Sequence, residues 1–164
     1  MAEEYLDVVN ENDEIVEMAK REDCHKNNLI HRSSAIFIFN DQGKLLLQKR
    51  SKSNDLYKGY WACSVSGHLN IDESYEHAAK RELKEEHGIE LVLEESFSIK
   101  VRQEIDSENV RLFLAKNNGP FDFNKEEIEK VDFFSINEIK EMIEKDEKFT
   151  KCFLELFSAY LKGK

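Results

Sequence analysis

The apolar positions along the chain switch between a period of two and a period near four. YLDVV (5–9), NEND and EIVEMA (14–19) predict strand, turn and strand, and REDCHKNN (21–28) a short helix. SSAIFIFN (33–40) and LLLQKRS (45–51) are β-rich apolar runs joined by DQGK, which predicts a hairpin. A polar loop, SKSNDLYKGY (51–60), leads to a short strand at WACSV (61–65). Asp72 or Ser74 is placed to cap a helix that runs to about His87 and stops at Gly88. One or two strands are expected in 89–105, another at VRLFLAK (110–116), a loop at 117–123 and a strand at IEKVDFFS (128–135). Helices follow at 136–145 and 148–162; in the second, Phe149, Phe153, Leu156, Phe157 and Tyr160 repeat at helical spacing and read as core. The irregular mixture predicts an α+β layered fold rather than a doubly wound one. With no repeat and no Gly/Ser linker, residues 1–164 read as one domain.

One stretch resists a purely structural reading. In RELKEEHGI (81–89), Glu82, Glu85 and Glu86 stand at i, i+3 and i+4, which puts three carboxylates on one helical face. Such pairs repel by roughly a few tenths of a kcal/mol each. A solvated acidic face explains any one of them. Together they suit a hard divalent cation, which takes a few carboxylates and substrate phosphate as ligands. Tyr75, Ala79 and Leu83 line another face of the same helix and read as core.

The balance of 24 basic and 34 acidic residues gives a net charge of −10. That argues against nonspecific binding of nucleic acid or of an anionic membrane. The longest apolar runs are far too short to span a bilayer, and MAEEYLDVVNENDEI lacks a basic region followed by an apolar stretch. Cys24, Cys63 and Cys152 are widely spaced and odd in number, as expected of free thiols in a reducing cytoplasm.

Extended backwards, the acidic stretch becomes GHLNIDESYEHAAKRELKEEHGI (67–89). Every typed position of G-x5-E-x7-R-E-U-x-E-E-x-G-U, with U apolar, is filled, and the segment resembles the Nudix box. The resemblance implies the Nudix fold, an α/β/α sandwich with a mixed central sheet. It implies hydrolysis of a diphosphate joined to another group, with Mg²⁺ or Mn²⁺ as cofactor. Glu82, Glu85 and Glu86 would then ligate the metal, joined by the Gly67 carbonyl. Glu73 and Arg81 would form an ion pair fixing loop to helix. Glu85, Glu86 or a distant loop acid such as Glu127 would activate water. The partner implied is a small phosphorylated molecule, and the protein would be a monomer or homodimer.

The wider run over residues 5–90 resembles the isopentenyl-diphosphate isomerase-like branch of that family. His25, His31 and His68 match three metal-binding histidines of the isomerases and form a possible second metal site. The isomerases' catalytic Cys is replaced by Ser66. Cys63, an odd number of residues away on a strand, is expected on the opposite face. The isomerases' later acid pair falls near Ser107–Glu108–Asn109, where one acid stands. These departures favour hydrolysis over isomerisation. Arg50, with Lys52, is expected to grip the diphosphate, a guanidinium being suited to bidentate phosphate binding. Lys49 reads as solvated, Trp61 as core, Tyr57 as a possible stacking surface, and His77 and His87 as surface helix residues.

Overall fold

The computed structural model describes residues 4–53 and 56–163; positions 54 and 55 of the expected polar loop lie outside them. Nine strands and four helices are described: β1 (Tyr5–Val9), β2 (Ile15–Lys20), α1 (Arg21–Lys26), β3 (His31–Phe39), β4 (Leu45–Arg50), β5 (Trp61–Ala62), β6 (Val65–His68), α2 (Tyr75–His87), β7 (Glu94–Val101), β8 (Glu108–Lys116), β9 (Ile128–Phe134), α3 (Ile136–Glu144) and α4 (Lys151–Lys162). The main sheet has seven strands and is mixed, because β3 and β8 run parallel while its other pairings are antiparallel.

The run AIFIF in β3 leaves that strand no polar face, so it must lie inside the sheet with cover on both sides. Ala35 and Phe37 meet Phe153, Leu156 and Phe157 of α4 and Ile139 of α3 in one apolar layer. Ile36 and Ile38 meet Tyr75, Ala78, Ala79 and Leu83 of α2 in the other. The result is the α/β/α sandwich. Helix α2 starts where Ser74 accepts from the His77 amide and ends at Gly88, whose φ of 67° is the left-handed cap a glycine supplies. The Ser135 and Glu138 side chains close a capping box on α3.

Two expectations need correction. The strands β3 and β4 pair only at Phe39–Leu45 and then splay apart. Strand β6 takes the place beside β3, while β5 and β9 flank β4. The expected strand at 61–65 is therefore two, broken at Cys63–Ser64. Ser64 is fully buried at the break. Its hydroxyl accepts from the Ile38 amide at 2.9 Å and donates to the Leu46 carbonyl at 2.5 Å. One side chain thus replaces the backbone ladder that the splayed strands lack. His87 is also not a surface residue. It is fully buried at the end of α2, one turn after Leu83, and bonds the Ser64 carbonyl through Nε2 at 2.9 Å. Burial holds its pKa below the ordinary value of 6.5.

A smaller sheet, β1 with β2, lies beside the start of β3. Its turn is tied down by Asp13. That carboxylate accepts from Arg32 Nε (3.1 Å), the Tyr75 hydroxyl (2.9 Å) and Asn109 Nδ2 (2.9 Å), joining the turn to β3, α2 and β8.

Two stability predictions follow from these contacts. Ser64→Ala strands a buried amide and a buried carbonyl, and should cost about 2–4 kcal/mol at roughly 1–3 per unsatisfied group. A urea titration showing less than about 1 kcal/mol would mean that the splayed strands close without the hydroxyl. Burial alone would raise the Asp13 carboxyl, but Asn109, Arg32 and Tyr75 outweigh it and hold the pKa below 3.8. The unfolded chain then takes up that proton first. Stability from this group is complete above pH 3.8 and is lost as pH falls through the folded value. Asp13→Asn should cost about 1 kcal/mol at pH 7, the figure being small because the group is part-exposed. Thermal melts should show its deficit shrinking below pH 3.8.

Candidate active site and metal centre

The splayed ends of β3 and β4 open a cleft of about 330 Å³. Sheet register decides what reaches it. His31 opens β3 opposite Glu108, the first residue of β8. On the other flank of β3, Ser33 pairs with His68 and Ser34 with Gly67. Helix α2 then lays Glu82 against Gly67 so closely that a Cβ on residue 67 would overlap the Glu82 carboxyl. This is the physical reason that the position takes glycine.

The three box carboxylates are not equivalent. Glu82 and Glu86 line the cleft and interact with each other, whereas Glu85 is exposed and turned towards Arg81. Glu86 is only 4% exposed and accepts from Gln48 Nε2 at 2.6 Å. Burial raises its pKa well above the ordinary range, and the charge of Glu82 adds to the effect. Glu82 is likewise raised, chiefly by burial, although Arg81 opposes this. A buried carboxylate beside a half-buried one is costly without a cation, so the donor set fits a hard divalent ion. Glu73 receives Arg81 Nε at 2.8 Å and Nη2 at 2.9 Å, together with the Asn70 amide and His77 Nδ1. Burial would raise its pKa, yet Arg81, Asn70 and His77 bring it down to about 2. Arg81 also donates to the His68 carbonyl at 2.9 Å and to Glu82 at 2.7 Å.

His25, His31 and His68 do converge, and with Asp106 they offer four ligand atoms within 4.8 Å of one another. His25 Nε2 and His31 Nε2 lie 3.3 and 3.4 Å from Asp106 Oδ1, and His68 Nε2 lies 3.1 Å from Glu108. His31 Nδ1 sits 2.9 Å from the Leu29 carbonyl. Donation there leaves the Nε2 lone pair facing the cluster, the tautomer a metal ligand needs. His25 Nε2, His31 Nε2 and Asp106 Oδ1 are buried and make no hydrogen bond among the described residues. Orphaned atoms aimed at one point fit a metal ion with imidazole preference, such as Mn²⁺ or Zn²⁺. Burial would lower the pKa of His31, but Asp106 and Glu108 raise it. Asp106 is held well below the usual carboxylate range: burial would raise it, and the neighbouring imidazoles outweigh that.

Two further readings are corrected here. Two acids rather than one stand beside the imidazoles: Asp106 and Glu108, two residues apart where the chain enters β8. The D-x-E spacing carried that signal, since alternate residues of an extended chain share a face. Cys63 does not point away from Ser66. Both line the cleft, because the break at Cys63–Ser64 resets the alternation. Gln48 was not anticipated, although a polar residue closing the run LLLQ, two before Arg50, marked that face of β4. Arg50 lines the cleft and donates through Nε to the Leu56 carbonyl at 3.0 Å. Glu127 and Tyr57 line it as well, whereas Lys52 is exposed and outside it. Lys49 lies over the Trp61 ring and 3.7 Å from Glu129. His77 is exposed, and Trp61 is buried.

The NUDIX domain family model matches residues 29–157. Over 140 residues the chain is 31% identical to the uncharacterized Nudix hydrolase YfcD of Escherichia coli (strain K12), covering 83% of this chain and 76% of that protein. It is 30% identical over 150 residues to isopentenyl-diphosphate Delta-isomerase 1 of Photorhabdus laumondii, covering 87% and 85%. The crystal structure of DR0079 from Deinococcus radiodurans superposes with a TM-score of 0.83 at 25% identity, covering 95% of this chain and 98% of that one. Among the described residues no helix is long and apolar enough to cross a membrane. The chain belongs to the Nudix family, as a pyrophosphohydrolase in the general sense of that family.

Proposed function

We propose that the protein hydrolyses the diphosphate linkage of a small nucleoside diphosphate derivative or related compound with Mg²⁺ or Mn²⁺. The observation that carries this is the pair of buried Glu86 and half-buried Glu82, with Glu82 packed on Gly67. Arg81 and Gln48 offset its desolvation and repulsion only in part, and a divalent cation resolves both. Glu82, Glu86 and the Gly67 carbonyl would hold the ion, with Glu85 at the mouth. When bound, it would withdraw charge from the phosphoryl oxygens and lower the pKa of a water. Arg50 holds the diphosphate across the cleft. Gln48 fixes the rotamer of Glu86, and Glu127, on the same wall, is the acid available to take the water proton.

A second reading, isomerisation of isopentenyl diphosphate, is favoured by one observation: the imidazoles meet two acids rather than one. Against it stands Ser66, whose hydroxyl is a far weaker acid than a thiol near pH 7. Cys63 on the same wall is the thiol that reading would have to use. Solvent deuterium entering isopentenyl diphosphate, and lost in Cys63→Ala, would establish it.

For the hydrolase, phosphate release should be followed over a panel of nucleoside diphosphate derivatives and isopentenyl diphosphate, with each metal. Glu86→Gln should lower kcat at least about a hundredfold, as loss of a few kcal/mol of charge stabilisation requires. Wild-type rates in that variant would refute the site. Gly67→Ala displaces only the mobile end of Glu82. It should therefore leave Tm within a few degrees and weaken Mg²⁺ binding at least about tenfold, the scale of a mispositioned metal ligand. Unchanged Mg²⁺ affinity by calorimetry would remove Glu82 from the metal site.

A further inference from the structure

The turn that carries Arg50 and the imidazole cluster meet at one hydroxyl. Tyr57 donates to Asp106 Oδ2 at 3.3 Å and accepts from Gln103 Nε2 at 3.0 Å. Gln103 Nε2 also reaches the Asp106 carbonyl at 3.2 Å. The opposite oxygen, Asp106 Oδ1, is the one that faces His25 and His31 and makes no hydrogen bond among the described residues. A carboxylate rotates about its last bond. A donor on one oxygen therefore decides where the other points.

Tyr57 holds this position against its own backbone preference. Its φ is +55°, a region that bulky L-residues avoid and that glycine or asparagine would occupy easily. Within the turn its ring meets that of Tyr60, 5.7 Å away between centroids, while its hydroxyl leaves the turn to reach Asp106. The same turn closes on Arg50. The Arg50 amide donates to the Tyr60 carbonyl at 2.8 Å, the Gly59 amide to the Arg50 carbonyl at 3.0 Å, and the Tyr60 amide to the Tyr57 carbonyl at 3.1 Å. Arg50 Nε donates to the Leu56 carbonyl beside Tyr57. Adjacent residues of this turn, Leu56 and Tyr57, are therefore bonded respectively to the guanidinium proposed to hold substrate and to a ligand of the imidazole cluster.

We propose that Tyr57, braced by Gln103, is a positioning residue that aims Asp106 Oδ1 at a metal held by His25, His31 and His68. Metal loading and ordering of the Arg50 turn are then one event. This rests on reading the imidazole cluster as a metal site. The chemistry is that of an outer-shell donor: it fixes the ligand's orientation, and its removal typically costs 10–100-fold in affinity. It also makes the cluster more than a second store for an ion, because occupancy is passed through two adjacent residues, Tyr57 and Leu56, to the cationic wall of the cleft.

The test is a Co²⁺ titration of the whole chain, followed by the visible absorption of the bound ion and by amide hydrogen exchange of residues 56–60. Wild type should bind Co²⁺ with a band that His25→Ala abolishes, and exchange in the turn should slow as the band grows. Tyr57→Phe should retain the metal-free Tm, bind Co²⁺ about 10–100-fold more weakly with a shifted band, and lose the metal-dependent slowing of exchange. Gln103→Leu should move the same readouts in the same direction. If Tyr57→Phe binds with wild-type affinity and spectrum while His25→Ala does not bind, the positioning role is wrong and the metal site stands. If wild type gives no band that depends on His25, the metal site falls and the role of Tyr57 falls with it.

Discussion

The cleft depends on one guanidinium. Arg81 uses Nε and Nη2 on Glu73, Nη2 again on the His68 carbonyl, and Nη1 on Glu82 and Glu85. These partners come from the loop before α2, from the end of β6 and from α2 itself. Nothing smaller than a planar fork of five donors meets them together. The same cation offsets the charge of the box glutamates, which would otherwise repel each other on one helical face. It also anchors the carbonyl of a residue whose imidazole belongs to the other cluster, so a single side chain sets the spacing between the two groups of ligands.

Those two groups differ in kind. Glu82 and Glu86 offer oxygen only, the preference of a hard ion that keeps its waters and shares substrate phosphate. His25, His31 and His68 with Asp106 offer mainly nitrogen, which suits a borderline ion. Both open on one cavity. A single scaffold thus carries the acid chemistry of the box and a nitrogen-rich centre side by side, and Ser66 and Cys63 stand between them.

Much of this was legible in the sequence. The box fixes residue types at set spacings, because a helix, a glycine contact and a salt bridge must all be satisfied at once. The alternation in AIFIF and the helical repeat of the aromatics after Phe149 are equally direct, since burial selects for them. What could not be read lies where no period holds. His87 sits in the last turn of a helix beside charged neighbours, and only the fold shows that this turn faces inward. Cys63 was placed by strand alternation, which ends one residue later at Ser64. Asp106 stands just before β8, and although its spacing from Glu108 is local, its meeting with the imidazoles depends on the parallel register of β8 with His31. Tyr57 and Asp13 act through contacts up to 49 and 96 residues distant in sequence, respectively, and no local pattern announces such contacts.

The splayed pair of β3 and β4 makes the cleft the open end of a fork. The stem is the Phe39–Leu45 junction, and the Ser64 hydroxyl is set in the crotch. One tine, with β6 and β8 beside it, bears His31, His68, Gly67 and Glu108; the other bears Gln48 and Arg50. The imidazoles and Arg50 are therefore on separate arms, and the gap between them is measured from the crotch. By simple leverage, a small difference in angle there becomes a larger difference in span at the tips. The breadth of molecule that fits between the arms is thus set far from any residue that touches it.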